Sequence, residues 1–371
     1  MKRIIYILFL LTFLSCDKEV GSVVAEPMGF IVTSPDVSVN TKAELTDAML
    51  EDGMEDNLYV YAEMSDGMVA SPIVSMPGAE LSYNSTMKVW NPVEYEYGYN
   101  YATGRYENLP KALTWDNKGK SYYRFYGYAY SSNAVIGSNL SLSNATYGRQ
   151  FTVTQPTTGT GEETIDYLLS SLVNVAPSTN YPLVPIELEH AMSRVDVNVQ
   201  IADAMFDAAK KPLVKDITVS ISGIKNKATM LCVQPKFYGE DGSNTWYITF
   251  EGNTTATYTQ SISNSADDNL EGHDTKLDMS FMAVPVFNAE MSGYVLTLEY
   301  NNASTTATSA EKDYTYNFNL KDYSPKGWVN GHKVKYVLTI DNSIHLKGSI
   351  VDYQDVDYIE AVVVPEIPHT K

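Results

Sequence analysis

The chain has 371 residues, of which 45 are acidic and 26 basic, for a formal charge of −19; a surface of that sign repels phosphate backbones, so nucleic acid is not an expected partner. With 44% hydrophobic residues it is long enough for two domains that each bury a core. Its 28 tyrosines, its many Thr, Ser and Val, and the lack of long Ala, Leu, Glu and Lys runs favour pleated surfaces over helices.

Residues 1–15 read as a signal peptide: Lys2 and Arg3, an apolar run from Ile4 to Leu14, then Ser15. That run is too short to cross a hydrocarbon core of roughly 30 Å comfortably. The sequence FLSC resembles a lipobox, in which cleavage before Cys16 frees an amine and the thiol takes up diacylglycerol, with fatty acids such as palmitate completing the anchor. An ordinary secretory signal with an incidental cysteine is the alternative. Residues 16–28 then form a tether, and Asp17, Lys18 and Glu19 resemble the short acidic signal of surface-exposed lipoproteins. After processing only Cys232 remains, which leaves no intrachain disulfide and suits a small buried hydrophobe.

A first domain is expected over 29–185. Phe30, Ile31 and Val32 open it, Leu58 to Tyr61 continue it, and polar residues separate the two. Tyr95, Tyr97, Tyr99 and Tyr101 stand two apart and share one face if the segment is extended. Such a row either packs across strands or stacks on sugars or another protein. Tyr122 to Tyr130 is a second aromatic strand, and Phe151 to Thr154 a short one. Pro177, Pro182 and Pro185 punctuate the approach to a second domain over 186–371. There Val195, Val197, Val199 and Ile201 alternate with Asp196, Asn198 and Gln200, the period of a half-buried strand. Ala202 to Lys210 is a short helix candidate. The sets Ile217, Val219, Ile221; Trp246, Ile248, Phe250; Tyr294, Leu296, Leu298, Tyr300; and Tyr314, Tyr316, Phe318, Leu320 each repeat every second residue. Many short strands without helical segments between them predict an all-β chain of two tandem β-sandwich domains, transthyretin-like or Greek-key, after a lipoprotein signal peptide.

An ordered set of segments resembles the fimbrillins, the Mfa-like subunits of type V pili in Bacteroidota. Leu188, His190, Ser193, Arg194, Val195 and Val197 resemble the opening of that family's C-terminal domain. Thr41, Lys42 and Ala43 stand where the family has Thr, Arg, Ala, and Val60, Tyr61 and Ala62 match its next strand. Tyr122 to Tyr130 resembles its aromatic strand, and GWVNGHKVKYVLTI with SIVDYQD its closing strands, with Tyr353 in place of Trp. The resemblance implies cleavage by a trypsin-like protease between Lys42 and Ala43, removal of the first strand, and filling of the opened groove by a neighbour's strand. Lys42 as an ordinary exposed loop lysine remains the alternative. It also implies a donor strand near the C terminus, for which Ile359, Ala361, Val362, Val363 and Val364 are the candidates, an in-domain edge strand being the other reading. The implied partners are other pilus subunits, in a homo- or hetero-polymer, the outer membrane through the lipid anchor, and a host or bacterial surface receptor. A glycan-binding surface lipoprotein, or an uncleaved anchor or tip subunit, is the rival reading.

No nucleophile elbow, zinc-protease helix or phosphate loop is present, and His190, His273, His332, His345 and His369 show no ligand spacing. Carboxylate pairs such as Asp352 with Asp355 or Asp357, and Asp267 with Asp268, arise readily among 45 acids. No enzyme activity, metal or cofactor is expected.

Overall fold

A computed structural model of the chain describes residues 28–33, 58–65, 73–84, 89–100, 105–112, 114–115, 122–130, 140–145, 148–170, 172–177, 183–206, 213–233, 245–250, 252–262, 277–302, 312–341, 343–352, 359–363 and 367–368. The strands in chain order are β1 (Phe30–Thr33), β2 (Leu58–Ser65), β3 (Ile73–Asn84), β4 (Val89–Asn100), β5 (Arg105–Ala112), β6 (Tyr122–Tyr130), β7 (Leu140–Ala145) and β8 (Gly148–Thr154). Then come β9 (Thr158–Gly159), β10 (Tyr167–Ser170), β11 (Val173–Val175), β12 (Val184–His190), β13 (Ser193–Ile201), β14 (Val214–Lys225), β15 (Lys227–Val233) and β16 (Thr245–Phe250). The last are β17 (Thr255–Ile262), β18 (Leu277–Ala283), β19 (Val295–Asn302), β20 (Lys312–Asn319), β21 (His332–Ile340), β22 (Ser343–Asp352), β23 (Ile359–Val363) and β24 (Ile367–Pro368). The chain is all-β, as its composition predicts.

The first sheet runs β1-β12-β10-β6-β2-β3-β4-β5, with β11 beside β6, and β1 also pairs with β4. The seven strands from β1 round to β4 therefore close on themselves. Their inner face holds Phe30, Leu58, Val60, Ala62, Leu81, Trp90, Phe125, Leu168, Val184, Ile186 and Leu188, all buried.

Part of the outer face of the same sheet is covered as well. Tyr61, Tyr126, Tyr128, Tyr130, Tyr167 and Leu169 are buried against a four-stranded sheet of order β16-β15-β8-β7, through Phe151, Val153, Ala228 and Met230. Two strands of this small sheet precede the proline-rich junction and two follow it, with β8 and β15 antiparallel in register from Lys227 and Thr154 to Leu231 and Gln150.

The remaining strands form a sandwich. A sheet of order β18-β13-β21-β22-β23 faces one of order β20-β19-β14-β17-β9. Val195, Val197, Val199, Ile201, Val334, Tyr336 and Leu338 point from one sheet, and Ile217, Val219, Ile221, Leu296, Leu298 and Phe318 from the other, into one buried cluster. Each alternating set read from the sequence in β13, β14 and β19 faces this core. Between Ile221 and Ile224 the pairing of β14 with β17 slips, and Gly223 there has φ +79°; a Cβ would meet the Gly293 carbonyl oxygen at 2.0 Å. Only glycine fits that backbone approach.

Ala202 to Lys210, expected as a short helix, contributes one 3₁₀ turn at Asp203–Met205 and then extended backbone at Phe206. Strand β12 lies whole in the first sheet, and the chain changes sheet at Ala191 and Met192, both buried.

Candidate functional site

The stave that closes the first sheet is β1, and its seat is the candidate site. It runs parallel to β12, with Phe30 opposite Val184 and Val32 opposite Ile186, and it meets β4 through Phe30 and Trp90. A four-residue strand thus fills a slot between two longer strands. FIVT, an aromatic residue followed by three β-branched ones, suits a pleat, but it is too short to be stable without its neighbours.

Side chains hold it from inside. Met28 and Phe30 are buried, and Val32 is half-buried against the same cluster. The Phe30 ring meets Phe125 edge to face, centroids 5.3 Å apart and planes at 79°. Trp115 in turn meets Tyr123 at 5.0 Å and Phe125 at 5.8 Å, both edge to face. Backbone ties fix the strand's start: the Val184 amide donates to the Gly29 carbonyl at 2.9 Å, and Asn91 Nδ2 donates to the Met28 carbonyl at 2.8 Å. The Leu183 side chain lies over Gly29, with Cδ2 2.6 Å from where a Cβ would be. Burying Met28, Phe30 and Val32 stabilises the closed sheet by about 1.5–3 kcal/mol per fully buried side chain.

The wall strand β12 is anchored at its far end. His190 Nδ1 lies 2.6 Å from Asp166 Oδ2, both side chains buried, and Leu168 of β10 stands opposite His190. Among the histidines picked out in the sequence, His190 is thus a packed structural residue. Among the described residues, no group of His, Cys, Asp or Glu is arranged to hold a metal ion. No helix among them is long and apolar enough to cross a membrane.

Cys16, Lys42, Ala43 and Val364 lie outside the described residues, as do Tyr101 and the signal segment. Ile359, Ala361, Val362 and Val363 lie in β23, which pairs antiparallel with β22: Ile359 opposite Ile350, Val362 opposite Gly348 and Val363 opposite Lys347. Here the strand is the last of its sheet. Tyr95, Tyr97 and Tyr99 lie in β4 and pair with Pro110, Asn108 and Tyr106 of β5, beyond the point where β4 leaves β3.

Asn91, Leu183 and Trp90 were not singled out as site residues from the sequence. Nothing local marks them, because their roles come from pairings between segments far apart in the chain.

The model of a family described as fimbrillin-like matches residues 78–352. No curated protein matches the chain. Among solved structures, a fimbrial protein from Bacteroides vulgatus is 15% identical with a TM-score of 0.51, the match covering 88% of this chain and 99% of that one. A protein assigned to cell adhesion from Bacteroides uniformis is 13% identical with a TM-score of 0.46, over 88% and 98%.

Proposed function

The chain belongs to the fimbrillin-like family, and on that premise we propose that it is a structural subunit of a cell-surface pilus that joins its neighbours by strand exchange and serves adhesion. The observation that carries this reading is the seat of β1. One short strand closes a seven-stranded ring, and the segment between β1 and β2 contains Lys42 and Ala43. Cleavage there severs β1 from the rest of the chain and leaves it held only by side-chain packing and strand pairing.

Loss of β1 frees the edges of β12 and β4 and uncovers Trp90, Phe125, Val184 and Ile186. An incoming strand restores both the backbone hydrogen bonds and the apolar contacts. The candidate donor, Ile359 to Val364, supplies apolar side chains at alternate positions, Ile359, Ala361 and Val363, for that seat. A lipid anchor on Cys16 would tether the precursor to the outer membrane, and the partners are other pilus subunits of the same or another kind. The role is structural, with no reaction to catalyse. The fimbrial protein from Bacteroides vulgatus, which shares the fold, supports the pilus assignment.

The experiment is to recover the protein from the surface of its own cells and determine its N terminus by intact mass and terminal sequencing. A start at Ala43 supports removal of β1 and polymerisation. A lipidated start at Cys16 rules out processing at Lys42 and leaves an anchor or tip subunit, or a glycan-binding lipoprotein.

A further inference from the structure

We infer that the outer rim of the β1 seat, at Leu183 and Pro185, is covered in the assembled state by the body of the neighbouring copy of this chain whose strand takes the place of β1. This rests on the strand-exchange reading above and adds a second contact to it. Strands covered on both faces read as continuous apolar runs, whereas strands with one wet face alternate. Two such runs lie side by side here: Phe30, Ile31, Val32 in β1, and Leu183, Val184, Pro185, Ile186 leading into and along β12.

Only half of each run is covered. Phe30, Val184 and Ile186 are buried, while Ile31 is 47% exposed, Leu183 46% exposed, and Pro185, which stands opposite Ile31, is exposed. Three large hydrophobic side chains, Ile31, Leu183 and Phe287, are exposed among the described residues, and two of them lie at this seam. Outward positions elsewhere follow the opposite rule: on β17 they are Thr255, Thr257, Thr259 and Ser261, all exposed and polar.

The occupant follows from continuity with the slot. Leu183 reaches over Gly29 and so forms part of the seat of β1 while its other side faces solvent. A strand delivered into that seat brings the body of its own subunit to the same rim. The donor candidate carries Ile359, Ala361 and Val363 on one face and Glu360, Val362 and Val364 on the other, so its second face is also largely apolar. One face of such a strand fills the ring interior, and the other needs cover that a lone copy does not provide.

The test is hydroxyl-radical footprinting of the full chain as a monomer and as polymer harvested from its own cells. Leu183 and Pro185 are expected to be labelled in the monomer and to lose that labelling in the polymer. A polymer shown by terminal sequencing to have lost β1, yet still labelled at both residues as in the monomer, overturns the seam contact and leaves strand exchange standing. A surface protein that stays monomeric and starts at Cys16 removes both. As a second measurement, Pro185→Asn, at an exposed outward position, is expected to keep the monomer's melting temperature and shorten the polymers. Unchanged polymer length in a normally folded Pro185→Asn chain also overturns the contact.

Discussion

Phe30 of β1 and Phe125 of β6 meet edge to face across the interior of the closed sheet, 5.3 Å between ring centroids. The contact makes β1 an integral part of the core although it is four residues long. Phe30→Ala is therefore expected to destabilise the unprocessed chain by about 3–5 kcal/mol, the range for a buried phenylalanine. Denaturant titration measures the loss. Amide exchange should quicken at Val184, whose N–H donates to the Gly29 carbonyl. A loss below about 1 kcal/mol, the size of a surface change, contradicts the closing role of β1.

The C-terminal strand yields the opposite expectation. Among the described residues β23 pairs with β22 alone and ends its sheet, and β24 also pairs with β22. Strands at a chain's end with one paired edge are removed more cheaply than central ones. A chain lacking residues 359–371 should thus fold, with a melting temperature near that of the full chain, and yet fail to extend polymers seen by electron microscopy. Polymers of normal length from the truncated chain would sink these residues as the donor.

Asp196 provides a pH test. Its Oδ1 accepts from Arg194 Nε at 2.8 Å and from Ser280 Oγ at 2.8 Å, and its Oδ2 lies 3.0 Å from Lys333 Nζ. Burial opposes the charged form, but Arg194 and Lys333 outweigh it and hold the carboxyl below its ordinary 3.8. A carboxyl whose folded pKa lies under its unfolded one stabilises the fold fully above the unfolded value, and that contribution is lost as pH falls through the lower folded value. Asp196→Asn should cost about 3 kcal/mol near neutral pH, because a mostly buried guanidinium loses its charge partner. The gap to the parent chain should then narrow below pH 3.8. Urea midpoints measured across that range decide it; a gap independent of pH would mean that the ion pairs contribute nothing.

How much of this was legible in the sequence depended on where each strand's partner lies. Strands with one polar face declared themselves: β13, β19 and β21 alternate, and their apolar sets all point inward. Strand β6 did not, because Tyr123 and Phe125 face one core while Tyr126, Tyr128 and Tyr130 face another. A strand covered on both sides has no period to read. The closure of the first sheet was equally silent, since it depends on β1 finding β12 and β4, and register between distant segments is set by packing rather than by neighbours in sequence. The apolar identity of Phe30, Ile31 and Val32 was visible; their place as a closing stave was not.

The same reasoning explains why the two halves are not joined at one point, and it leads to a last expectation. Gln155, 2% exposed, sits where the chain first crosses from the early strands toward β9. Its amide nitrogen donates to the Asn226 carbonyl at 2.7 Å, and Asn226 Nδ2 donates back to the Gln155 carbonyl at 3.0 Å. Its side chain accepts from the Ile165 amide at 2.8 Å, donates to the Ile165 carbonyl at 2.6 Å, and approaches Met192 Sδ at 3.3 Å. One side chain thus fastens the crossing segment beside the point where β12 gives way to β13. Gln155→Ala leaves a buried N–H and a buried C=O of Ile165 without these partners, at a cost of about 2–4 kcal/mol. The effect should fall on the coupling between the first sheet and the sandwich, because the Gln155–Asn226 backbone bond persists while the tie across the crossing is lost. Calorimetry is expected to show one cooperative transition for the parent chain and two resolved transitions for Gln155→Ala. A variant that still melts in a single transition, with a loss under about 1 kcal/mol, would place the coupling in the tyrosine-rich layer between the first and four-stranded sheets instead.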